Sequence, residues 1–196
     1  MPSSPSPPWP HTAVLLAGGR SQRMGLDKHG LQVPNGKTLL EIVRDCAQLT
    51  ASRVIISGPA EAMPQLEHIA DIRPASGPLG GIESVIKSGR DERYLFLPCD
   101  MPRLTPSLLW RLVEKLDHAE AAVFEQGERS IRPVLPLALR SKTAARVQQL
   151  MEHGRASIHE LIESLDAATV PLGEEESGCL LNINTPEEWS EFLAEG

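Results

Sequence analysis

The chain has 196 residues, 41% of them hydrophobic, and a formal net charge of −7. That length suits one domain with a sizeable apolar core, and the acidic balance argues against a general binder of nucleic acid or anionic membrane, which needs a broad basic face. Three widely spaced cysteines (Cys46, Cys99, Cys179) with no CxxC pair, and six scattered histidines with no HExxH, suggest neither a disulfide framework nor a zinc site.

The opening segment "MPSSPSPPWPH" is rich in Pro and Ser, and we expect a disordered tail over 1–11. It lacks the basic and apolar regions of a signal peptide, and no apolar run approaches the ~18 residues of a membrane span, so a cytoplasmic protein with reduced thiols is expected. "TAVLLA" (12–17) reads as a buried strand, and "TLLEIVRDCAQLT" (38–50) as a helix with Leu39, Ile42, Val43 and Cys46 on one face. "RVIIS" (53–57) predicts a second strand and "IAD" (69–71) a short third one. "PLGGIESVIKSG" (78–89) reads as a helix closed by Gly89, and "RYLFLP" (93–98) as another buried strand. In "TPSLLWRLVEKL" (105–116), Thr105 is placed to cap a helix with Pro106 at its first position, and Leu109, Leu112, Val113 and Leu116 form its apolar stripe. "AAVFE" (121–125) and "RPVLPLAL" (132–139) predict strands, the second an edge strand because of its prolines. Helices follow in 142–154, ending at Gly154, and in 157–165. After "ATVPL" and "CLLNIN", "TPEEW" opens the last helix with a Thr185/Glu188 capping box. "GEEES" (173–177) reads as a solvated charged loop.

This alternation predicts an α/β fold, a single-domain doubly wound, mostly parallel sheet with helices on both faces. Such sheets bind ligands beyond the carboxyl ends of their strands, which points to the loops after Ala17, Ser57, Asp71 and Pro98. The first of these is unusual. In "AVLLAGGRSQRMGLDK" (13–28), an apolar run stops at Gly18 and Gly19 and gives way to Arg20, Arg23 and Lys28, in a chain that is acidic overall. Successive glycine amides can form a nest for phosphate oxygens, and each hydrogen bond to a charged group contributes roughly 1.5–3 kcal/mol. The alternative is a solvated turn with incidental charges. The segment does not match the dinucleotide fingerprint GxGxxG. "GLQVPNGKT" (30–38) has one residue too many for GxxxxGK[ST], and its "PNG" reads as a turn between two short extended pieces. A second glycine cluster, "ASGPLGGI" (75–82), opens a helix whose first-turn amides could face a base or phosphate. "LFLPCDMP" (95–102) ends a buried strand at Asp100, an acid suited to Mg²⁺ shared with phosphate oxygens. A turn or helix-capping aspartate is the alternative there, and Cys99 beside it reads as a small buried residue.

"LAGGRSQRMGLDK" resembles the signature of the nucleotidyltransferases that attach a nucleotide to the molybdenum cofactor, the guanylyltransferases among them. Related cytidylyl- and uridylyltransferases more often carry LAAG, so Gly19 leans toward guanine. The resemblance covers nearly the whole chain beyond the tail and implies a Rossmann-like nucleotidyltransferase fold. It implies GTP contacts from Leu16, Ala17, Gly18, Gly19, Arg20, Lys28, Ser57, Asp71, Gly80 and Asp100, with Lys28, Arg23 and Asp100 catalytic and Asp100 holding Mg²⁺. Family members usually show GPLAG where this chain has GPLGG, and guanine-specific members often carry Asn where Ser57 stands. "NINTPEEW" (182–189) resembles the family's closing segment and, with Arg132 and Arg155, assigns the acceptor to the second half through Asn182 and Asn184. The implied reaction transfers GMP from GTP to the terminal phosphate of molybdenum-molybdopterin and releases pyrophosphate. The implied partners are those two substrates, with cofactor-insertion proteins and apo-molybdoenzymes downstream. CTP as donor, another small phosphate acceptor, or a non-catalytic nucleotide- or pterin-binding module are the alternatives, and no protein nucleophile is needed.

Overall fold

The computed structural model describes residues 10–17, 32–126, 133–154 and 157–194. Seven strands form one sheet: β1 (Thr12–Leu16), β2 (Arg53–Ser57), β3 (Glu67–Ile69), β4 (Arg93–Pro98), β5 (Ala121–Glu125), β6 (Leu137–Arg140) and β7 (Ala167–Pro171). Among the described residues, six α-helices accompany them: α1 (Leu39–Gln48), α2 (Gly77–Lys87), α3 (Pro106–Lys115), α4 (Ala144–Glu152), α5 (Ile158–Glu163) and α6 (Pro186–Ala194). The strand order is β3-β2-β1-β4-β6-β5-β7. Pairings β1–β2, β1–β4, β2–β3 and β5–β7 are parallel, whereas β6 runs antiparallel to both neighbours. The chain therefore winds outward from β1 to β3, then crosses back to lay β4 on the other side of β1. This is the topological switch point of a doubly wound fold.

Alternation along the strands divides the core between two faces. Ala13, Leu15, Ile56, Leu95, Leu97 and Phe124 pack with α1 and α3. Val14, Leu16, Ile55, Tyr94, Phe96 and Val123 pack with α2, α4 and α5. Both faces are covered, so the central strands read as unbroken apolar runs.

The helix ends follow local chemistry. Thr38 caps α1, accepting from Glu41 N at 3.2 Å, while the Glu41 carboxylate accepts from Thr38 N at 2.8 Å. That backbone hydrogen bond holds the Glu41 carboxyl below its ordinary pKa. Thr105 caps α3 as expected, and Thr185 and Glu188 cap α6 reciprocally at 3.2 and 3.0 Å. Gly89 and Gly154 close α2 and α4 with φ of 65° and 71°. The expected turn at Pro34–Gly36 is present: Gln32 bridges Thr38, and Gly36 N donates to Val33 O at 2.8 Å.

Four expectations are corrected. The expected edge strand over 132–139 is not found in its described part, 133–139; β6 begins at Leu137 and lies between β4 and β5. Pro133 and Pro136 precede the paired residues, so they remove no ladder donor and place no limit on the strand's position. The third strand is Glu67–Ile69 rather than 69–71. "GEEES" is not a free loop, since Glu174–Leu180 forms a 3-10 helix tied to α3 through Arg111. Arg111 Nη1 meets Glu176 Oε1 at 2.7 Å, and Arg111 Nη2 donates to the Pro171 carbonyl. The Arg111 bond keeps the Glu176 carboxyl below its ordinary pKa. His11, expected in the tail, is buried, and its carbonyl accepts from Ser52 Oγ at 2.9 Å. No helix among the described residues is long and apolar enough to cross a membrane.

Candidate active site at the switch point

β1 is the hub of the site. Leu16 pairs with Ser57 on one side and with Pro98 on the other, so the loops leaving β1, β2 and β4 start side by side. Ala17 N donates to Ser57 O at 2.8 Å, which extends the β1–β2 pairing by one residue, to the start of the basic glycine loop. Gly18, Gly19, Arg20, Arg23 and Lys28 themselves lie outside the described residues, as do Arg132 and Arg155.

On the β2 side, Ser57 is buried and its hydroxyl donates to Asp71 Oδ1 at a long 3.4 Å. The N-terminus of α2 presses against this corner. A Cβ on Gly81 would stand 2.7 Å from Ser57 Oγ and 3.3 Å from Leu16 Cδ2, closer than packed atoms tolerate. Gly80, the glycine named from the motif, faces the loop instead: a Cβ there would lie 2.7 Å from Ser76 Cβ. The second glycine of the pair is thus the one that touches the strand ends. Neither spacing nor composition distinguishes the two; helical phase relative to β2 does.

On the β4 side, Asp100 is half-buried two residues past Pro98. Its carbonyl accepts from Ile183 N at 2.9 Å, which docks the 182–184 segment against the same loop. Asn182 and Asn184 flank that bond. Asn184 N also donates to Glu188 Oε2 at 2.6 Å, so the α6 cap fixes the segment. A cleft of about 230 Å³ opens here, lined by Pro102, Arg103, Asn182, Ile183, Glu191 and Phe192. Arg103 lies over the Phe192 ring at 5.5 Å from its centroid, and Trp189 packs on Phe192 at 5.9 Å. Arg103 and Phe192 also border a second cleft of about 380 Å³, with Val33, Pro34, Ile42 and Leu193. Ile42, expected on the core face of α1, lines this cleft, and Leu40 and Ala47 are buried in the core. Sequence patterning gave no sign of Arg103 or Phe192. An arginine three residues past an acid, and an aromatic in an acidic helix, carry no spacing rule.

No group of three or more His, Cys, Asp or Glu able to hold a metal occurs among the described residues. None of the three cysteines is in a disulfide. Burial pushes the Cys46 thiol up to about 11, and it donates to Leu104 O at 3.3 Å, so it is a poor nucleophile at neutral pH.

A model of the MobA-like NTP transferase domain matches residues 13–169. The chain belongs to this family. It is a nucleotidyltransferase. A relative in Xanthomonas euvesicatoria pv. vesicatoria named molybdenum cofactor guanylyltransferase is 37% identical over 194 residues, covering 96% of each chain. One of the same name in Photobacterium profundum is 31% identical over 98% of each chain. The solved structure of molybdopterin-guanine dinucleotide biosynthesis protein A from Archaeoglobus fulgidus superposes with a TM-score of 0.79 at 19% identity, covering 94% of this chain and all of that one.

For an NTP transferase, the Gly81 contact yields a prediction. Gly81→Val forces Ser57 and Leu16 apart and breaks the Ser57–Asp71 bond. Overpacking of this kind costs roughly 1–3 kcal/mol, so the thermal midpoint should fall while nucleoside triphosphate binding weakens. A variant with an unchanged midpoint and unchanged calorimetric affinity would contradict the packing described.

Proposed function

We propose that the protein transfers GMP from GTP to the terminal phosphate of molybdenum-molybdopterin. An acceptor phosphate oxygen forms a bond to the α-phosphorus of GTP. The bond from that phosphorus to the β-phosphate oxygen breaks, and pyrophosphate leaves. The observation that carries this reading is the Ile183 N to Asp100 O bond. It brings the segment assigned to the acceptor against the loop assigned to the triphosphate, at the switch point where such sheets take ligands.

The residues divide the work. Leu16, Ala17 and the glycine loop would receive the phosphates, and Ser57 and Asp71 would face the nucleoside. Lys28, Arg20 and Arg23 would neutralise two anions that must approach each other, since phosphoryl-type transfer depends on positioning and charge stabilisation. Asn182 and Asn184 each offer a donor and an acceptor to a pterin edge. The chemistry of Asp100 fits Mg²⁺: one carboxylate just past a strand end, with no group of three metal-ligating side chains among the described residues, suits a hard cation that shares phosphate oxygens. Bound there, Mg²⁺ supplies positive charge to the triphosphate. No protein nucleophile is needed, in keeping with a protonated Cys46.

The test is pyrophosphate release with each of the four NTPs, with and without Mg²⁺ and the pterin acceptor. Release should require all three components and favour GTP. Preference for CTP would replace the donor, and nucleotide uptake without acceptor-dependent release would leave a binding module.

A further inference from the structure

We infer that Glu83 is a positioning residue for selection of the nucleotide base, acting through the loop that carries Asp71. The inference rests on the nucleotide-binding reading of the Ser57–Asp71 corner. Glu83 sits on α2 with 1% exposure, inside the core-facing run Ile82–Ile86. A carboxylate in such a place must be paired. Its Oε1 meets Lys87 Nζ at 2.8 Å, one turn along the same helix. Its Oε2 meets Arg73 Nε at 3.0 Å, on a different segment.

The neighbouring Ser84 makes a second tie. Its hydroxyl accepts from Ile72 N at 2.8 Å and donates to Gly80 O at 2.8 Å. Two adjacent α2 residues therefore hold the backbone and the side chain of the two residues that follow Asp71. The loop needs such ties. It contains Ala75 at φ 61°, a left-handed conformation that a residue with a Cβ disfavours, two residues before Gly77 at φ 67°. The Ile72 and Arg73 ties to α2 hold the chain directly after Asp71, whose carboxylate accepts from Ser57.

The role concerns the base rather than the phosphates because of strand order. β2 and β4 lie on opposite sides of β1. The Ser57–Asp71 corner and Asp100 are thus two strand spacings apart, roughly 10 Å, about the span from a nucleoside ring to its phosphates. Loosening the β2 corner should leave the triphosphate grip intact.

The experiment is calorimetric titration of GTP, CTP and inorganic tripolyphosphate, each with Mg²⁺, into wild type, Glu83→Leu and Arg73→Met. The Kd for GTP should rise about tenfold in both variants, as for loss of an outer partner that orients a binding group. The GTP-over-CTP preference should shrink, and the tripolyphosphate Kd should stay within about twofold of wild type. Glu83→Gln, which keeps one of the two accepting oxygens in place, should recover part of the loss. Unchanged GTP affinity in a folded variant, or equal weakening of GTP and tripolyphosphate, overturns the inference. If Glu83→Leu fails to fold, Arg73→Met decides, because that side chain is partly exposed and its replacement leaves no buried cation. Wild type that takes up tripolyphosphate but shows no added affinity for GTP removes the nucleoside corner itself, and the inference with it.

Discussion

Asp100→Ala should lower acceptor-dependent turnover about 10²-fold or more, the usual cost of losing one electrostatic stabiliser at a reacting centre. The expected loss lies in the carboxylate alone. The bond that docks the acceptor segment is made by the Asp100 carbonyl, not its side chain, so the variant keeps the Ile183 contact. The half-buried position two residues beyond β4 demands no apolar packing from the side chain. The thermal midpoint should therefore stay near that of wild type while the Mg²⁺ concentration needed for half-maximal rate rises. Steady-state pyrophosphate release across a Mg²⁺ series, with GTP and acceptor saturating, measures both. Wild-type rates in the variant would mean that Asp100 is only a turn residue ahead of Pro102.

Where the sequence could be read, local signals were strong. β2, β4 and β5 coincide with the runs 53–57, 93–98 and 121–125, because each is a short apolar segment bounded by charges or proline. The caps at Thr105 and Thr185 follow from single residues with defined hydrogen-bonding roles. The placement of β6 was not legible. Two prolines argued for an edge, but both precede the paired residues, and only the non-local pairing with β4 and β5 settles its neighbours. The cap at Thr38 was legible and was missed: a Thr three residues ahead of Glu41 before an apolar stripe is a capping box.

The same division holds at the site. Leu16, Ala17, Ser57, Asp71 and Asp100 occupy strand ends, and strand ends can be found from hydropathy alone. The structure brings their backbones to one layer through the register of β1 with β2 and β4. Gly81, Glu83, Ser84 and Arg73 act through helix phase and a loop folded back on that helix, which no spacing rule encodes. One sequence sign of Glu83 did exist. A charged residue at i, with Ile82 before it, Val85 and Ile86 shortly after and Lys87 at i+4, is out of place on a buried helix face unless it is paired.

Lys28→Ala should also cost about 10²-fold in turnover, for a reason that begins with the whole chain. A protein of net charge −7 repels a triphosphate and a phosphorylated acceptor at long range. Productive encounter then depends on a local excess of positive charge, and the loop that follows Ala17 supplies three cations within nine residues. Glu83 engages Arg73 and Lys87, and Asp45 engages Lys37 and Arg44, so those cations are already committed to carboxylates. Removing the Lys28 ammonium should raise the KM for GTP and lower kcat together, because the charge helps both to bind the ground state and to offset anion–anion repulsion in the transfer step. Lys28→Arg keeps the charge but spreads it over a planar fork, so it should recover affinity more fully than rate. Kinetics at several ionic strengths separate the contributions. Screening by salt should narrow the gap in KM between wild type and Lys28→Ala, while the gap in kcat, set within the closed contact of two phosphates, should persist. Equal kcat in the two proteins would reduce Lys28 to a steering charge and shift the stabilising role to Arg20 and Arg23.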